Sequence, residues 1–509
     1  MTVEKPVVLI SLQRDLDTIG LKTLHMLLLR QGFESLLLYL PDLGAAEDAR
    51  MLAVCDFVRS RSPLFVGIGL MSVEYARAAA LTDHLKHVLP TVPVVWGGMH
   101  PTIAPEECLA HADYVCAGES ETAVVALAEI LRRGGDVSCV SSLCFLRDGV
   151  LIANPLAPLV EDVDALPVCD HLPVNAHVLH KNRVLPLDRT LLRKYARWSG
   201  AVYSIMGSRG CPYACSYCCN STLVRIYGTR GIRRRSVDGI IAELERAVRD
   251  NEDIRLINFQ DDCFLSCTEA YLEAFCDAYK RRVDRPFIVR SIPRFLTDKK
   301  LNLLKRAGLA WLTMGLQSGS DEINRDIFKR QATAADFLHD AALVHDAGIA
   351  AIYDVITDNP FESDAQRLMT IKTMMKTPKP HFVEVFSLTF YPGTELYERA
   401  SRECPEALED YHFKDNYQYR KTDLNHMMRL ASYLGRRPME TLVALYQQFP
   451  KSSGFRLRLA FWRTMAVLFF EPVTYIRLIY MSEGASVGNM IRRVPMYARQ
   501  LLDRYVKQL

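Results

Sequence analysis

Over the first 145 residues, runs of apolar residues alternate with stretches whose apolar positions repeat at helical spacing. The run Val7–Ser11 precedes the first such stretch, which ends at Gly32. The pattern predicts strands at 7–11, 35–40, 64–70, 93–96 and 113–117, and helices at 18–30, 46–60, 73–88 and 121–133. Such alternation is typical of a doubly wound α/β domain, whose parallel sheet binds ligands beyond the carboxyl ends of its strands. We therefore predict an α/β domain over residues 1–145.

A second alternating pattern fills residues 201–400, after a proline-punctuated segment at 146–200 that predicts a connector. Strands are predicted at 202–206, 256–260, 287–292, 311–317, 350–356 and 384–390. The helices between them include 236–249, with Ser236 as its N-cap, and 334–345. Six such units predict a partial (β/α)6 barrel, with its active site at the carboxyl ends of the strands.

Residues 401–509 predict a helical region rich in aromatic residues and arginine, where we expect substrate selection. The segments 455–463 and 465–470 are apolar and basic together, and Glu471-Pro472 is expected to interrupt them. The apolar run then falls short of the ~20 residues that a membrane-spanning helix needs. We favour packing in the core or as a lid, with peripheral membrane contact or a greasy substrate as the alternative.

The bulk composition limits the class of protein. The chain has 509 residues, of which 49% are hydrophobic and 24% charged, and this composition fits about three globular domains. A net charge of +3 indicates no bulk polyanionic partner, so no nucleic acid is expected. Fourteen cysteines in a chain of this length are no small secreted disulfide framework, and the N-terminal sequence shows no signal-peptide pattern. We therefore expect a cytoplasmic protein.

Cys211, Cys215 and Cys218 lie close together in sequence, with Tyr217 before the third cysteine. Cysteine thiolates hold iron–sulfur clusters, and a cubane cluster usually has four such ligands, so three ligands leave one iron open. The alternative is a structural zinc site or a set of buried thiols. Zinc needs four N or S ligands, and the obvious fourth, Cys219, is adjacent to Cys218 and poorly placed. The spacing therefore favours an iron–sulfur cluster with an open position.

The C-x3-C-x2-C spacing with its aromatic residue resembles the signature of the radical SAM superfamily. The resemblance implies a [4Fe-4S] cluster on Cys211, Cys215 and Cys218, with S-adenosylmethionine (SAM) on the open iron. Strand-end residues of the predicted barrel resemble the SAM-binding motifs of that family, namely Asp261, Asp262, Arg290, Ser291, Gln317, Ser318, Asp354, Pro392 and Gly393. Gln317 stands where the family usually has glutamate, so a hydrogen bond there would be neutral and weaker.

Three strand-end loops of the first domain resemble those of the cobalamin-binding domain that precedes many radical SAM cores. Paired glycines let a large flat ligand approach the backbone. The resemblance implies a cobalamin site above the barrel, formed by Ser72, Gly97, Gly98, His100, Pro101, Thr102, Gly118 and Glu119. We expect His100 to pack its loop or to contact the corrin edge, and His25 to be structural.

The loop after the first strand departs from one pattern of that family. Cobalamin domains that ligate cobalt from below have D-x-H-x-x-G there, whereas this chain has Asp15-Leu16-Asp17-Thr18-Ile19-Gly20. Asp17 stands in the histidine position, and a carboxylate is a poor replacement for imidazole on cobalt. We therefore predict cobalamin without a histidine lower ligand. We also expect Asp15 or Asp17 to cap the helix that follows.

Several other polar residues are interpreted as structural. Cys169 and Asp170 have no partner at a metal-ligand spacing. Cys263 and Cys267 are expected to be buried thiols rather than ligands of a second cluster. An arginine run predicts a solvated face, with an anion site as the alternative; its members are Arg225, Arg230, Arg233, Arg234 and Arg235.

Taken together, the resemblances imply an enzyme, and methyl transfer is the outcome we favour. One SAM would methylate cobalamin, and a second would give a 5′-deoxyadenosyl radical that abstracts hydrogen from an unactivated carbon. The small-molecule or lipid-like substrate would then take the methyl group from methylcobalamin. The alternative is cyclisation, oxygenation or rearrangement without methyl transfer, as in the anaerobic cyclase family. An electron donor such as flavodoxin or ferredoxin is also implied.

Two alternatives from other classes remain. A methylthiotransferase needs clustered N-terminal cysteines, and Cys55, Cys108 and Cys116 are not so spaced. A corrinoid-binding sensor without chemistry would not need the cysteine loop.

Overall fold

A computed structural model of the chain describes residues 5–44, 49–408 and 419–482. The start of the predicted helix 46–60 and parts of the predicted helical region 401–509 lie outside these described residues.

The N-terminal α/β domain follows the predicted alternation closely. Its elements are β1 (Val7–Ser11), α1 (Ile19–Arg30), β2 (Ser35–Tyr39), α2 (Ala49–Arg61), β3 (Phe65–Gly69), α3 (Tyr75–Val88), β4 (Val94–Gly97), α4 (Met99–Ile103), α5 (Pro105–Cys108), β5 (Tyr114–Cys116) and α6 (Glu121–Arg132). Every residue of β1 and β2 is buried, because helices cover both faces of the sheet. The five predicted strands are all present and parallel.

The sheet continues into the segment that the sequence predicts as a connector. The added elements are β6 (Leu143–Arg147), β7 (Val150–Ala153), β8 (Ala176–His180), β9 (Arg183–Pro186) and α7 (Arg189–Tyr195). The strand order is β7-β6-β5-β4-β3-β1-β2-β8-β9, with β8 parallel to β2 and the outer strands antiparallel. Most prolines of the segment lie between these strands, so they do not disrupt the ladders. The domain limits at 145 and 200 therefore remain predictions.

The direction of strand progression reverses between β1 and β3, so the loops after these two strands flank a topological switch point. Ligands of doubly wound sheets bind in the crevice at such a point.

The second half forms the predicted partial barrel. Its elements are β10 (Val202–Ile205), β11 (Ser208–Arg209), α8 (Cys219–Tyr227), β12 (Arg233–Arg234), α9 (Val237–Asp250), β13 (Leu256–Phe259), α10 (Glu269–Arg282), β14 (Phe287–Ser291), α11 (Asp298–Ala307), β15 (Leu309–Gln317), α12 (Ala334–Asp346), β16 (Ala350–Thr357), α13 (Asp364–Lys376), β17 (Phe382–Ser387) and α14 (Glu395–Glu403). Six parallel strands form the sheet in the order β10-β13-β14-β15-β16-β17, which confirms the six predicted units. Ser236 caps α9 as predicted, because its hydroxyl accepts from the Gly239 N–H at 3.0 Å.

Along the barrel strands, fully buried apolar residues alternate with partly exposed residues. The apolar set packs against the surrounding helices in the main hydrophobic core. Because successive side chains of a strand point to opposite faces, the partly exposed set faces the barrel lumen. The lumen side therefore carries the charged residues of these strands, namely Arg290, Asp354 and Glu384, among apolar residues.

The C-terminal region contains α15 (Asp423–Tyr433), α16 (Arg436–Gln448), α17 (Ser453–Met465) and α18 (Glu471–Ser482). A π-helical turn, Ala466–Phe470, joins α17 to α18 into one 30-residue helix, which we call the C-terminal helix. The predicted interruption at Glu471-Pro472 is therefore wrong. The π-turn ends two residues before Pro472, and its altered hydrogen bonding accommodates a residue that lacks an N–H. Tyr475 and Leu478 pack against the first residues of β15 and β16 and close the amino end of the barrel.

Candidate active site

The cysteine loop follows β11 and ends where α8 begins, with Cys218 at the N-cap position of that helix. Cys215 is buried, and Cys211 and Cys218 are half-buried. Ser216 anchors the loop, because its N–H donates to the carbonyl of Phe328 at 3.0 Å. Burial raises the pKa of the Cys211 thiol to about 12, and the nearby thiols of Cys218 and Cys215 contribute to the rise. Three crowded thiols of this kind need a positive partner before they can ionise.

The surroundings of the loop fit an iron–sulfur cluster. Burial raises the pKa of the Cys215 thiol, and the adjacent Arg330 guanidinium opposes that rise. Nη2 of Arg330 donates to the Gly315 carbonyl at 2.6 Å, whereas its buried Nε has no hydrogen-bond partner among the described residues. A buried cation with an unused donor suits the negative charge of a thiolate-bound cluster. Across the described residues, no three His, Cys, Asp or Glu side chains lie close enough together to hold a metal ion, and this includes the three cysteines of the loop.

The other cysteines near the loop are placed as the sequence suggests. Cys219 lies beside Cys218 and interacts with its thiol. Cys263 is buried, which raises its pKa to about 11, and Cys267 is half-buried. All fourteen cysteines are described, and each is a free thiol.

Polar side chains of β14, β16 and β17 face the lumen, together with Gln260 directly after β13. Arg290 of β14 donates to Gln260 Oε1 at 2.6 Å. Asp354 of β16 stands opposite Glu384 of β17 in register. Burial raises the pKa of Asp354, the Glu384 carboxylate adds to the rise, and Arg290 and Arg330 oppose it. One carboxylate oxygen of Asp354 has no hydrogen-bond partner among the described residues, so it is available to a cationic ligand group.

The two adjacent aspartates after β13 have different surroundings. Asp261 is buried and accepts hydrogen bonds from the Gly207 N–H at 2.9 Å and from the Ser208 hydroxyl, so it holds the chain that leads into the cysteine loop. Asp262 lies close enough to Cys211 and Cys218 for its charge to raise their pKa values. Asp262 thus lies toward the cysteine loop, and its carboxylate accepts a hydrogen bond from the Asn220 side chain at the start of α8.

The remaining predicted SAM-binding residues do not all reach the lumen. Gln317 has a φ of 66° at an irregularity of β15, and Ser318 is buried and donates to Glu362 Oε1 at 2.9 Å. Ser291 is buried on the outer face of β14, opposite in direction to Arg290. Gly393, which follows Pro392, accepts hydrogen bonds from Thr222 at 2.8 Å and Arg225 at 2.7 Å, outside the lumen. Ser291, Ser318 and Gly393 therefore support the barrel rim rather than line its lumen.

The cobalamin-type loops lie together at the carboxyl edge of the first sheet. His100 is fully buried, and its Nδ1 lies 3.0 Å from the Ser72 hydroxyl, so loop packing is the role that the structure supports. Thr102 accepts from the Gly118 N–H at 2.9 Å and thereby joins two of the loops. Gly98 has a φ of 102°, and a side chain there would lie 2.7 Å from the Leu70 carbonyl. Glycine is therefore needed at this position because the backbone after β4 passes close to the backbone after β3, whatever ligand binds.

The same edge leaves apolar side chains uncovered. Met71 and Val73, in the turn after β3, are exposed large hydrophobic residues at the switch point. Pro101 and Thr102, by contrast, are buried in α4 behind Gly97. An uncovered apolar turn at a switch point fits the edge of a large flat ligand such as cobalamin.

Asp17 reaches from the first domain to the barrel. Its carboxylate accepts a short hydrogen bond from the Ser204 hydroxyl of β10. The expected helix cap is wrong for both aspartates, because the N-cap of α1 is Thr18 and makes no side-chain cap bond. Asp15 instead accepts from the Asp17 N–H at 2.9 Å and fixes the loop. His25 is structural as predicted, with hydrogen bonds to Ser35 at 2.8 Å and to the Val174 carbonyl.

An ion-pair network joins the two domains beside this contact. Arg233 donates to both carboxylate oxygens of Glu119, at 2.9 and 2.5 Å, and Arg209 binds Glu121 at 2.6 Å. The Glu119 N–H also donates to the Tyr227 hydroxyl at 2.8 Å. Glu119 is thus occupied in docking the domains, and Gly118 provides the close approach to Tyr227.

The expectation of a solvated arginine face is wrong for most of the run. The side chains of Arg233, Arg234 and Arg235 are 12–14% exposed and each is paired with an acid. Arg235 binds Asp164 and Glu243, whereas Arg225 remains on the surface beside Glu398. Cys169 and Asp170 are structural as predicted, with hydrogen-bond partners in Thr23 and Arg246.

The sequence motifs do not identify Arg330 and Glu384 of the lumen and cluster surroundings. Asn258, which begins the motif that contains Asp261 and Asp262, lies 3.4 Å from the Ser204 hydroxyl, across the β10–β13 pair. Lumen alternation along a predicted strand would identify Glu384, but Arg330 lies outside any strand and carries no spacing signal.

Two family models match the chain in the order of its domains. Residues 5–128 match the B12 binding domain, and residues 205–374 match the radical SAM superfamily. The uncharacterised methyltransferase PH0819 of Pyrococcus horikoshii is 26% identical over 360 residues, covering 70% of this chain and 73% of that protein. The anaerobic magnesium-protoporphyrin IX monomethyl ester cyclase of Synechocystis sp. is 24% identical over 420 residues, and the match covers 80% of this chain and 75% of the cyclase.

A solved structure shares the fold over almost the whole chain. The cobalamin-dependent S-adenosylmethionine radical enzyme OxsB, with aqua-cobalamin and S-adenosylmethionine bound, superposes with a TM-score of 0.65 at 13% identity. The match covers 99% of this chain and 81% of OxsB. The cysteine loop, the barrel and the preceding switch-point loops agree with both domain assignments, and the chain therefore contains a radical SAM domain at residues 205–374, with a B12-binding domain ahead of it at residues 5–128.

Proposed function

We propose that the protein is a cobalamin-dependent radical SAM methyltransferase that acts on an unactivated carbon of a small-molecule or lipid-like substrate. One observation carries the proposal: the Asp17–Ser204 hydrogen bond joins the switch-point edge of the first domain to the lumen side of the barrel. A ligand at that edge therefore faces the open end of the barrel, where the cysteine loop lies. The methyltransferase name of the Pyrococcus relative supports the reaction class.

The residues that would hold the cofactors are thiols without a bonded partner and apolar side chains that no other part of the described chain covers. Cys211, Cys215 and Cys218 would hold a [4Fe-4S] cluster, and the exposed turn with Met71 and Val73 would meet cobalamin. When bound, the cluster and SAM supply a radical that abstracts hydrogen, and cobalamin supplies a methyl group.

The lumen residues bind and orient SAM in this proposal. Arg290, held by Gln260, offers a cation to the SAM carboxylate. Asp262 or the free oxygen of Asp354 accepts from the SAM ammonium group. Asp354 and Glu384 lie opposite each other, and a cation between them lowers the repulsion of two buried carboxylates.

The first test measures iron, sulfide and cobalamin per chain after anaerobic purification from a host supplied with cobalamin. About four irons and one cobalamin are expected. The Cys215→Ala variant should lose iron but keep cobalamin, whereas Cys404→Ala, on a buried cysteine outside the loop, should keep both. Four irons without cobalamin would show that the N-terminal domain serves another purpose.

The second test separates methyl transfer from the cyclase-like alternative that the Synechocystis relative suggests. Reduced enzyme with SAM and substrate candidates is assayed for S-adenosylhomocysteine and 5′-deoxyadenosine. Equal amounts of both products support methyl transfer, because each turnover uses one SAM for each purpose. Formation of 5′-deoxyadenosine alone with a modified substrate would support the cyclase-like alternative.

The proposal includes partners and a location. A one-electron protein donor such as flavodoxin or ferredoxin reduces the cluster, and no nucleic acid takes part. A reducing cytoplasm suits fourteen free thiols. The C-terminal region contacts a membrane peripherally, since the C-terminal helix leaves apolar side chains exposed.

A further inference from the structure

The C-terminal helix carries a concentrated set of exposed apolar side chains. Eight of the sixteen exposed large hydrophobic residues in the described part of the chain lie on it. Leu457 is 71% exposed, the largest fraction among them. The other seven are Phe461, Val467, Leu468, Phe469, Val473, Ile476 and Tyr480. Scattered exposed leucines are ordinary, but a concentration on one helix marks an interaction surface.

The exposed residues form one stripe because of the π-turn. Leu457 and Phe461 are four residues apart, and Val473, Ile476 and Tyr480 follow at spacings of three and four. An ideal helix would rotate the second group away from the first, but the extra residue in the π-turn shifts the phase by about 100°. The stripe therefore continues along the same side of the helix through both α17 and α18.

The opposite side of the helix is fixed to the protein along its length. Phe455 and Leu459 are buried in the main core, and Tyr475, Leu478 and Ile479 are buried against the barrel strands. Glu471, 2% exposed on its side chain, pairs with Arg429 at 3.2 Å. Although the helix is long and apolar enough to cross a membrane, one side of it is committed to the folded protein, so it lies on a surface rather than spanning one.

The charges beside the stripe have a single sign. Arg456, Arg458, Arg463 and Arg477 are exposed, and none makes an ion pair with another described residue. Glu471 is the only acidic residue of the helix, and it is buried. The exposed surface of the helix is therefore apolar in the middle and positive at its borders.

We infer that this surface, formed by the stripe and its four arginines, docks the protein on an anionic lipid bilayer. Apolar side chains enter the acyl boundary and arginines bind the headgroups, as in other interfacial helices. A second copy fits less well, because a two-fold interface would set the four arginines against their own copies. The inference names the lipid class and residues of the membrane contact proposed above, and it does not depend on methyl transfer.

The position of the surface has a consequence for the active site. The buried side of α18 closes the amino end of the barrel, whereas the cysteine loop and the cobalamin edge lie toward the carboxyl ends of the strands. Docking through the C-terminal helix therefore holds the protein at the membrane without covering the entrance to the lumen.

The test is cosedimentation of the full-length protein with vesicles, at low and high salt. Phosphatidylcholine vesicles that contain phosphatidylglycerol are expected to bind the protein, and pure phosphatidylcholine vesicles to bind it far more weakly. Arg458→Gln/Arg477→Gln should weaken binding to the anionic vesicles by roughly thirtyfold, since each charge contributes near the surface. Leu457→Gln/Phe461→Gln should abolish it.

The matched control is Leu52→Gln/Leu146→Gln, which removes exposed apolar side chains of the first domain and should leave vesicle binding unchanged. Iron and cobalamin content show that each variant is folded. Absent binding, or equal binding to neutral and anionic vesicles, overturns the inference. A concentration-dependent dimer that Leu457→Gln/Phe461→Gln dissolves would assign the surface to a second copy instead. Because the assay measures binding alone, none of these results bears on methyl transfer.

Discussion

Arg330 is a single buried cation in a position to act on the cysteine loop. It follows the π-helical turn after β15 and is held by the Gly315 carbonyl, while its guanidinium lies beside Cys215 and 5.9 Å from the centre of the Tyr213 ring. A full positive charge this close favours the reduced, more negative state of a cluster on these thiols.

Replacing Arg330 by Gln should therefore lower the midpoint potential of the cluster. A charge interaction of ~2 kcal/mol at an effective dielectric constant of about 20 corresponds to roughly 80 mV for one electron. An anaerobic redox titration followed by electron paramagnetic resonance (EPR) measures the potential. Arg330→Lys keeps the charge and should therefore keep most of the wild-type midpoint potential. Equal midpoint potentials in the Gln variant and the wild type would contradict this role of Arg330.

The contacts of Asp17 and His100 predict that no histidine of these loops is a ligand of the cobalt. Asp17 binds Ser204, and His100 is fully buried against Ser72, so neither loop offers a free imidazole. Cobalamin bound in the cobalt(II) state should therefore show no coupling to a histidine nitrogen. EPR spectra of protein grown with 14N- and 15N-histidine should be identical. A change in splitting would identify a histidine ligand that these contacts do not reveal.

Candidate site residues can be proposed from sequence where the chemistry needs neighbours in sequence. The three cysteines and the cobalamin-type loops are such cases, because each is a contiguous motif. Arg330 and Glu384 could not be found in this way, since folding brings them to the site from distant segments. Ser291 shows the sensitivity to register, because a one-residue step along a strand moves a side chain to the opposite face.

At the scale of elements, the segment between β16 and α13 contains a buried acid that makes stability depend on pH. Glu362 is 7% exposed and accepts from the Ser318 hydroxyl at 2.9 Å, and burial raises its pKa from 4.5 to about 7. The folded state therefore holds the proton more tightly than the unfolded state does. The resulting stability is fully present below about pH 4.5 and is lost as the pH rises through 7.

Glu362→Gln should remove this dependence. The neutral amide keeps the shape of the protonated acid, so the variant should gain up to ~3 kcal/mol relative to the wild type above pH 7 and little at low pH. Urea unfolding midpoints of the barrel transition across this range measure the difference. Glu252→Gln removes an exposed carboxylate in a loop and is the control. It should leave the pH dependence of the unfolding midpoint as in the wild type. Parallel curves for wild type and Glu362→Gln would contradict the buried-acid interpretation.

Hydrophobic periodicity predicts the order of the elements. The errors of the predicted secondary structure lie where a proline signal competes with packing or periodicity. All predicted strands of both sheets are present, because alternating strands and helices leave strong patterns. The outer strands β6, β7, β8 and β9 of the first sheet were not predicted, since short strands in a proline-punctuated segment carry little pattern. Pro472 predicts a helix break, but the π-turn before it and the packing of Tyr475 keep the helix continuous.

For the whole molecule, the interface between the domains decides whether the two cofactor edges face each other. It is made of polar contacts in which Arg233 has the central place, binding Glu119 through two hydrogen bonds and the Val160 carbonyl at 2.7 Å. The sequence predicts that Glu119 binds cobalamin and that Arg233 lies on a solvated face. Neither the loop motif nor the run of arginines shows which surfaces of the two domains meet. The structure pairs them, with side chains 19% and 12% exposed.

Arg233→Ala should therefore separate the functions of the two domains without unfolding either. Without Arg233, the Glu119 carboxylate keeps the ion pair with Arg209 at 3.3 Å and the hydrogen bond from the Val160 N–H. The cost is therefore smaller than the cost of about 3–5 kcal/mol for a fully buried charge that loses its only partner. Iron content should stay normal, because no cluster ligand changes, while cobalamin retention falls and 5′-deoxyadenosine forms without matching S-adenosylhomocysteine. Arg282→Ala removes an exposed pair with Glu245 and is the control, expected to match the wild type. Normal cobalamin retention and equal product amounts in Arg233→Ala would mean that the remaining contacts, including Asp17 with Ser204, are sufficient to dock the domains.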